Sequence, residues 1–205
     1  MKKIILAVFL LVMTPFYAVS ATQSDADLLK EKLAQFKQIN AKFSQVVTNV
    51  EGKVLNKSQG TLSISRPGKF RWEVLTPEQD LIISDGVTMW MYSPFIEQVS
   101  LVNLSDAIAG TPFVLLSGAT QAQWDKYTVK KQNEQFMIKT KDVSAPQNSF
   151  IFEFDNTGNI SRFEVIEAQG QRSDFTLTYS QQSKKIPADY FTFTIPEGVE
   201  IDDQR

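Results

Sequence analysis

From Phe43 almost to the end of the chain, apolar side chains recur at every second position. That period matches strands with one wet face and excludes a mainly helical fold. Leu62 and Ile64 alternate with Thr61, Ser63 and Ser65, and Phe70, Trp72 and Val74 alternate with Lys69, Arg71 and Glu73. The same pattern runs through 87–92, 95–102, 127–131 and 136–140, then through Phe150, Phe152 and Phe154. It returns at Phe163 and Val165, at Phe175, Leu177 and Tyr179, and last at Phe191, Phe193 and Ile195. Turn formers such as Ser84-Asp85-Gly86 and Asn156-Thr157-Gly158-Asn159 separate the runs. About ten short strands at regular spacing predict one strongly curved antiparallel sheet or a barrel.

Two stretches break the alternation. Residues 24–39 read as an amphipathic helix, with Ser24 and Asp27 resembling a capping box and Leu29, Leu33 and Phe36 on one face. Further on, Ser105 can cap a short helix through Ala109, and Thr111-Pro112 looks like an N-cap and N1 proline for a second over 113–117, stopped by Gly118. Its residues Phe113, Val114, Leu115 and Leu116 are apolar all round, so it must be buried on several sides or cover something apolar. Together with the N-terminal helix it can plug the open mouth of a curved sheet. The polar tail 197–205 is expected to be loose.

The N-terminus sets the compartment. Lys2 and Lys3, the apolar run from Ile4 to Val12 and the small residues Val19-Ser20-Ala21 read as a secretory signal peptide over 1–21, with the mature chain starting at Thr22. Removing 21 of 205 residues leaves 184, enough for a single domain (22–205) with a sizeable core. Without Lys2 and Lys3, 19 basic residues face 23 acidic ones, a balance that argues against nucleic acid as a partner. The chain has no Cys and no His. It therefore forms no disulfide, carries no lipidated cysteine, and has neither a Ser-His or Cys-His nucleophile nor the usual transition-metal ligands. A soluble periplasmic protein, monomeric and without cofactor, is the expectation.

The motifs resemble one family. Gly60-Thr61-Leu62 leads into Arg66-Pro67 and Phe70-Arg71-Trp72, followed by the long run from Ser84-Asp85-Gly86 through Trp90-Met91-Tyr92-Ser93-Pro94-Phe95-Ile96-Glu97-Gln98. Thr111-Pro112-Phe113, Phe191-Thr192-Phe193-Thr194, Gly198-Val199 and Asp202-Asp203-Gln204-Arg205 complete the set. In this order, over nearly the whole mature chain, they are similar to the LolA family of periplasmic outer-membrane lipoprotein carriers. The resemblance implies a mainly β fold, an incomplete antiparallel β-barrel whose concave apolar face lies under a lid of short helices. It implies that Arg66 hydrogen-bonds lid backbone in the closed state and that Phe70 handles cargo. It also implies three partners: lipoprotein acyl chains, an ATP-driven inner-membrane complex that releases them, and an outer-membrane receptor.

On this reading Phe70, Trp72, Met89, Met91, Phe150, Phe152 and Phe154 line the cargo cavity, and Phe113, Val114, Leu115 and Leu116 form the lid. Large aromatic rings and adaptable methionines suit varied lipid tails, although any β-domain packs such residues into its core. An alternative is a barrel-type binder of a small lipid or fatty acid. A third is a hydrolase using Asp80, Asp85 or Glu97; against it, Asp85 before Gly86 reads as a turn residue, and no second carboxylate marks a shared site.

Overall fold

The computed structural model describes residues 23–144, 146–179 and 186–205, so the expected signal peptide 1–21 and the start at Thr22 lie outside the described residues. The chain opens with helix α1, Asp25–Ala34, whose N-cap Ser24 accepts a hydrogen bond from the Asp27 amide. Six strands follow: β1 Gln38–Thr48, β2 Val54–Ser65, β3 Lys69–Thr76, β4 Asp80–Asp85, β5 Thr88–Ser93 and β6 Gln98–Asn103. Three short helices come next: α2 Leu104–Ala107, α3 Pro112–Leu116 and α4 Gln121–Trp124. The remaining strands are β7 Tyr127–Gln132, β8 Gln135–Thr140, β9 Ser149–Phe154, β10 Ile160–Ile166, β11 Arg172–Tyr179 and β12 Glu200–Asp203.

All twelve strands belong to one curved sheet in the order β12-β6-β5-β4-β3-β2-β1-β11-β10-β9-β8-β7. The two edge strands, β12 and β7, do not pair, so the sheet stays open. Register decides which side chains share a face, because residues directly opposite point the same way. Phe43, Phe175, Phe163, Phe152 and Phe136 fall on one face through the β1–β11, β11–β10, β10–β9 and β9–β8 ladders. Leu62, Trp72, Ile82 and Met91 continue that face on the other arm. The helices lie over this concave side, and most of the core sits between them and the sheet.

The convex side of β3–β6 has a core of its own. Ile83 and Val99 are fully buried there, with Leu101, Ile186 and Phe191 packed nearby. A short 3-10 helix, Ala188–Phe191, rests against β3 and β4, Tyr190 lies 5.2 Å beneath the Arg71 guanidinium, and Phe193 meets Tyr92 at 5.4 Å. The run Phe191-Phe193-Ile195, read from sequence as a last strand, is therefore a strap: its alternation comes from resting on a sheet rather than from pairing within one. The tail is not loose either. Glu200–Asp203 adds a parallel strand to β6, with the Glu200 amide donating to Glu97 O at 2.8 Å and the Gln204 amide to Leu101 O at 2.9 Å.

Other boundaries shift for physical reasons. The first helix stops at Ala34 rather than at residue 39, because Ile39, Ala41 and Phe43 alternate inward and the β2 ladder claims them. Phe95 and Ile96 stand exposed in the β5–β6 turn, where Glu97 takes a positive φ of 51°. Asn103, not Ser105, precedes the first turn of α2. At the β7 edge, where open backbone groups invite pairing, the Lys131 amide donates to Asp25 of α1 at 2.9 Å.

Gly60 explains how so large a ring lies flat on the concave face. It occupies a register shift between β2 and β3, and a Cβ there would fall 1.9 Å from Glu73 O and 2.7 Å from the Phe43 ring. Phe43 uses the vacant space to stack on Trp72 at 4.0 Å. Gly60→Ala is expected to lose about 1–3 kcal/mol, the usual cost of overpacking, in urea unfolding followed by circular dichroism. An unchanged midpoint and slope would show that the ring has room to move.

Candidate functional site

Under the helices the concave face is incompletely filled. Phe70, Trp72, Ile82, Met89, Phe113 and Phe175 help enclose a cavity of about 290 Å³. A second, of about 460 Å³, shares Thr111, Phe113 and Phe175 with the first and reaches Phe150, Phe163 and Val165. A third, of about 680 Å³, shares Gly110, Pro146, Asn148 and Phe150 with the second and extends to Tyr127. The first two lie against Phe113 of α3, while the third adjoins the loop before it and has Lys126, Lys141 and Asp142 on its wall; each is near or within the size range of lipid and drug sites.

Phe113 is the partition between the first two. Its ring stacks on Phe70 at 5.5 Å and meets Trp72 edge-on at 5.6 Å. Trp72 is the hub of the face, touching Phe43 at 4.0 Å and Phe175 at 5.2 Å, while Phe163 stacks on Phe175 at 4.3 Å. Val114, Leu115 and Leu116 are buried, Leu115 toward a smaller gap bordered by Leu33 of α1 and Trp124 of α4. The apolar helix is thus buried at Pro112, Val114, Leu115 and Leu116 and partly buried at Phe113, which faces the sheet.

The C-terminus of α3 is held by the turn between β2 and β3. Arg66 Nε donates to Leu116 O at 2.8 Å and Arg66 Nη2 to Leu115 O at 3.4 Å, while the Gly68 amide donates to Ser117 O at 3.0 Å. A helix end leaves such carbonyls without partners and concentrates partial negative charge there, so a guanidinium meets both needs. Gly118 lets the chain leave this end with φ of 103°, and a Cβ on it would contact the Arg66 side chain at 3.7 Å. Half-burial draws the Arg66 pKa below its ordinary value, and an arginine starting so high remains charged at neutral pH.

The sequence-predicted residues fall into three groups. Phe70, Trp72, Met89 and Phe150 border the cavities. Phe152 and Phe154 do not border those three; they pack into core, Phe152 against Phe163 at 6.2 Å and Phe154 against Phe136 at 5.8 Å beneath Lys32 of α1. Met91 shares the concave face, opposite Ile82, and is partly open to solvent. Phe163 and Phe175, which border the cavities, were missed as site residues, although their period-2 positions marked them as inward. Asp85 accepts from the Val87 and Thr88 amides at 2.8 and 2.9 Å, the role of a turn residue, and Glu97 sits in the β5–β6 turn.

An open half-barrel with a greasy concave face under a tied helix defines a carrier type of fold. The family model for outer membrane lipoprotein carrier protein LolA matches residues 34–194, and the chain belongs to that family. It is 57% identical to the outer-membrane lipoprotein carrier protein of Psychromonas ingrahamii over 205 residues, all of both chains. It is 40% identical to that of Aliivibrio salmonicida over the same full span. Among solved structures, a LolA superfamily protein from Nitrosomonas europaea superposes with a TM-score of 0.52 at 12% identity, covering 82% of this chain and 97% of the other. That likeness concerns the fold.

Arg66→Leu leaves the α3 carbonyls without their charged donor. The variant is expected to lose about 1–3 kcal/mol of stability and to bind an apolar dye such as bis-ANS more strongly than the parent, as concave surface becomes reachable. Equal dye binding in both would mean that packing alone holds α3 in place.

Proposed function

We propose that this chain is a soluble periplasmic carrier, matured by cleavage after Ala21, that shelters lipoprotein acyl chains against the concave face while α3 moves aside. One observation carries the reading: the apolar face is covered by a five-residue helix, Pro112–Leu116, held by Arg66 and Gly68, and not by the sheet closing on itself. The need for such a shelter is one of magnitude. Each exposed methylene costs about 0.8 kcal/mol, so one acyl chain of roughly 16 carbons costs on the order of 12 kcal/mol in water. Lipoproteins therefore do not cross an aqueous space unaided.

Loading and release follow from competition for one volume. Phe113 and an acyl chain both seek contact with Phe70 and Trp72, so cargo binding opens the α3 contact and its return helps expel the cargo. The sequence has no glycine-rich phosphate loop, so the energy for loading comes from an ATP-driven inner-membrane complex, and the cargo passes downhill to an outer-membrane receptor with higher affinity. Arg66 acts as the latch that sets how firmly the empty carrier closes. Nothing in this cycle calls for bond chemistry.

The test incubates the mature protein with spheroplasts and follows lipoproteins by immunoblot. Lipoproteins appearing in the soluble fraction, bound to the protein, is the expected result. A binder of small lipids or fatty acids would release none. In the same assay, cargo transfer from Arg66→Leu to outer membranes is expected to differ from that of the parent, and equal transfer removes the latch role.

A further inference from the structure

Gln45 is out of place by polarity. It lies on the concave face, opposite Phe175 on β11 and Ser58 on β2, and lines the 290 Å³ cavity among Phe70, Trp72, Met89 and Phe113. The other polar side chain on that wall, Thr111, spends its hydroxyl on Ile108 O at 2.8 Å. Among the described residues no charged side chain lines this cavity. Ser58, buried to 4% exposure, donates its hydroxyl to Gln45 Oε1 at 2.8 Å. That contact occupies the amide oxygen from the β2 side and leaves the NH2 group as the donor this cavity-lining side chain can offer.

A wall built only to hold hydrocarbon gains nothing from an amide donor, because the NH2 group must give up its water when an apolar chain covers it. We propose that Gln45 Nε2 donates a hydrogen bond to the carbonyl oxygen of the ester or amide bond that joins an acyl chain to its headgroup. The inference rests on the carrier reading and adds to it what the site recognises beyond grease. Position favours it: Gln45 lies three residues, about 10 Å, inside the end of β1 at Thr48, so a carbonyl held there lets the chain run inward toward Phe70 and Trp72. Charge favours it too. A free fatty acid would bring a carboxylate to a wall on which the described residues place no cation, whereas an ester or amide brings a neutral acceptor that a neutral donor satisfies.

The experiment compares monopalmitoyl glycerol with its hexadecyl ether counterpart, which keeps chain and glycerol but lacks the carbonyl. Both displace bis-ANS from the full-length mature protein. The parent is expected to bind the ester about fivefold more tightly than the ether, the equivalent of one neutral hydrogen bond. Gln45→Leu, which removes the donor, is expected to bind both alike. Gln45→Glu keeps an acceptor for Ser58 while facing the cavity with oxygen, and is expected to lose the ester preference without losing the Ser58 contact. Equal binding of ester and ether by the parent overturns the proposal, as does a preference that survives in Gln45→Leu. If the parent still releases lipoproteins from spheroplasts while showing no ester preference, only the role of Gln45 falls; if it neither releases lipoproteins nor binds either lipid, the carrier reading falls with it.

Discussion

The structure turns on a sheet that curls without closing. With β7 and β12 unpaired to each other, a wide concave surface of aromatic and aliphatic side chains is left that strand pairing cannot cover. Burial of apolar surface is non-directional, so it demands a cover but does not choose one. The choice is made by directed contacts at one end of α3, where Arg66 and the Gly68 amide donate to three successive carbonyls. Packing thus supplies most of the adhesion and a few charge-assisted hydrogen bonds supply the address.

That division of labour is what the proposed carrier role requires of a cover. Contact between Phe113 and the Phe70–Trp72 pair is generic, and another apolar body can replace it at similar energy. The Arg66 bonds are specific, and nothing apolar can replace them. Meanwhile the strap over 186–195 and strand β12 brace the convex side of the arm that carries Phe70 and Trp72. The wall beneath Phe113 is thus supported from behind.

Much of the fold was legible because alternation is a local signal. Phe43, Trp72, Phe150 and Phe175 declare their face by parity, and Thr111-Pro112 declares the start of α3. What escaped depends on partners far along the chain. Nothing near Ile39 says that β2 will recruit it from a helical pattern, and the acidic stretch Glu200–Asp203 becomes a strand only because β6 offers an open edge. Whether an inward phenylalanine lines a hollow or fills a core depends on the helix above it, which separates Phe150 from Phe152 and Phe154. Gln45 was readable, since it stands between Phe43 and Val47 in the same parity, but polar residues in strands are usually assigned outward.

The central claim, that α3 and the cargo occupy one volume in turn, is tested most directly by amide hydrogen exchange on the protein before and after loading with a purified lipoprotein. Exchange is expected to quicken at Val114–Ser117 on loading and to stay slow along the ladders of β1, β2 and β11. Unchanged or slower exchange in α3 with cargo bound would mean that the helix never leaves the hollow, and the exchange of occupants would be wrong.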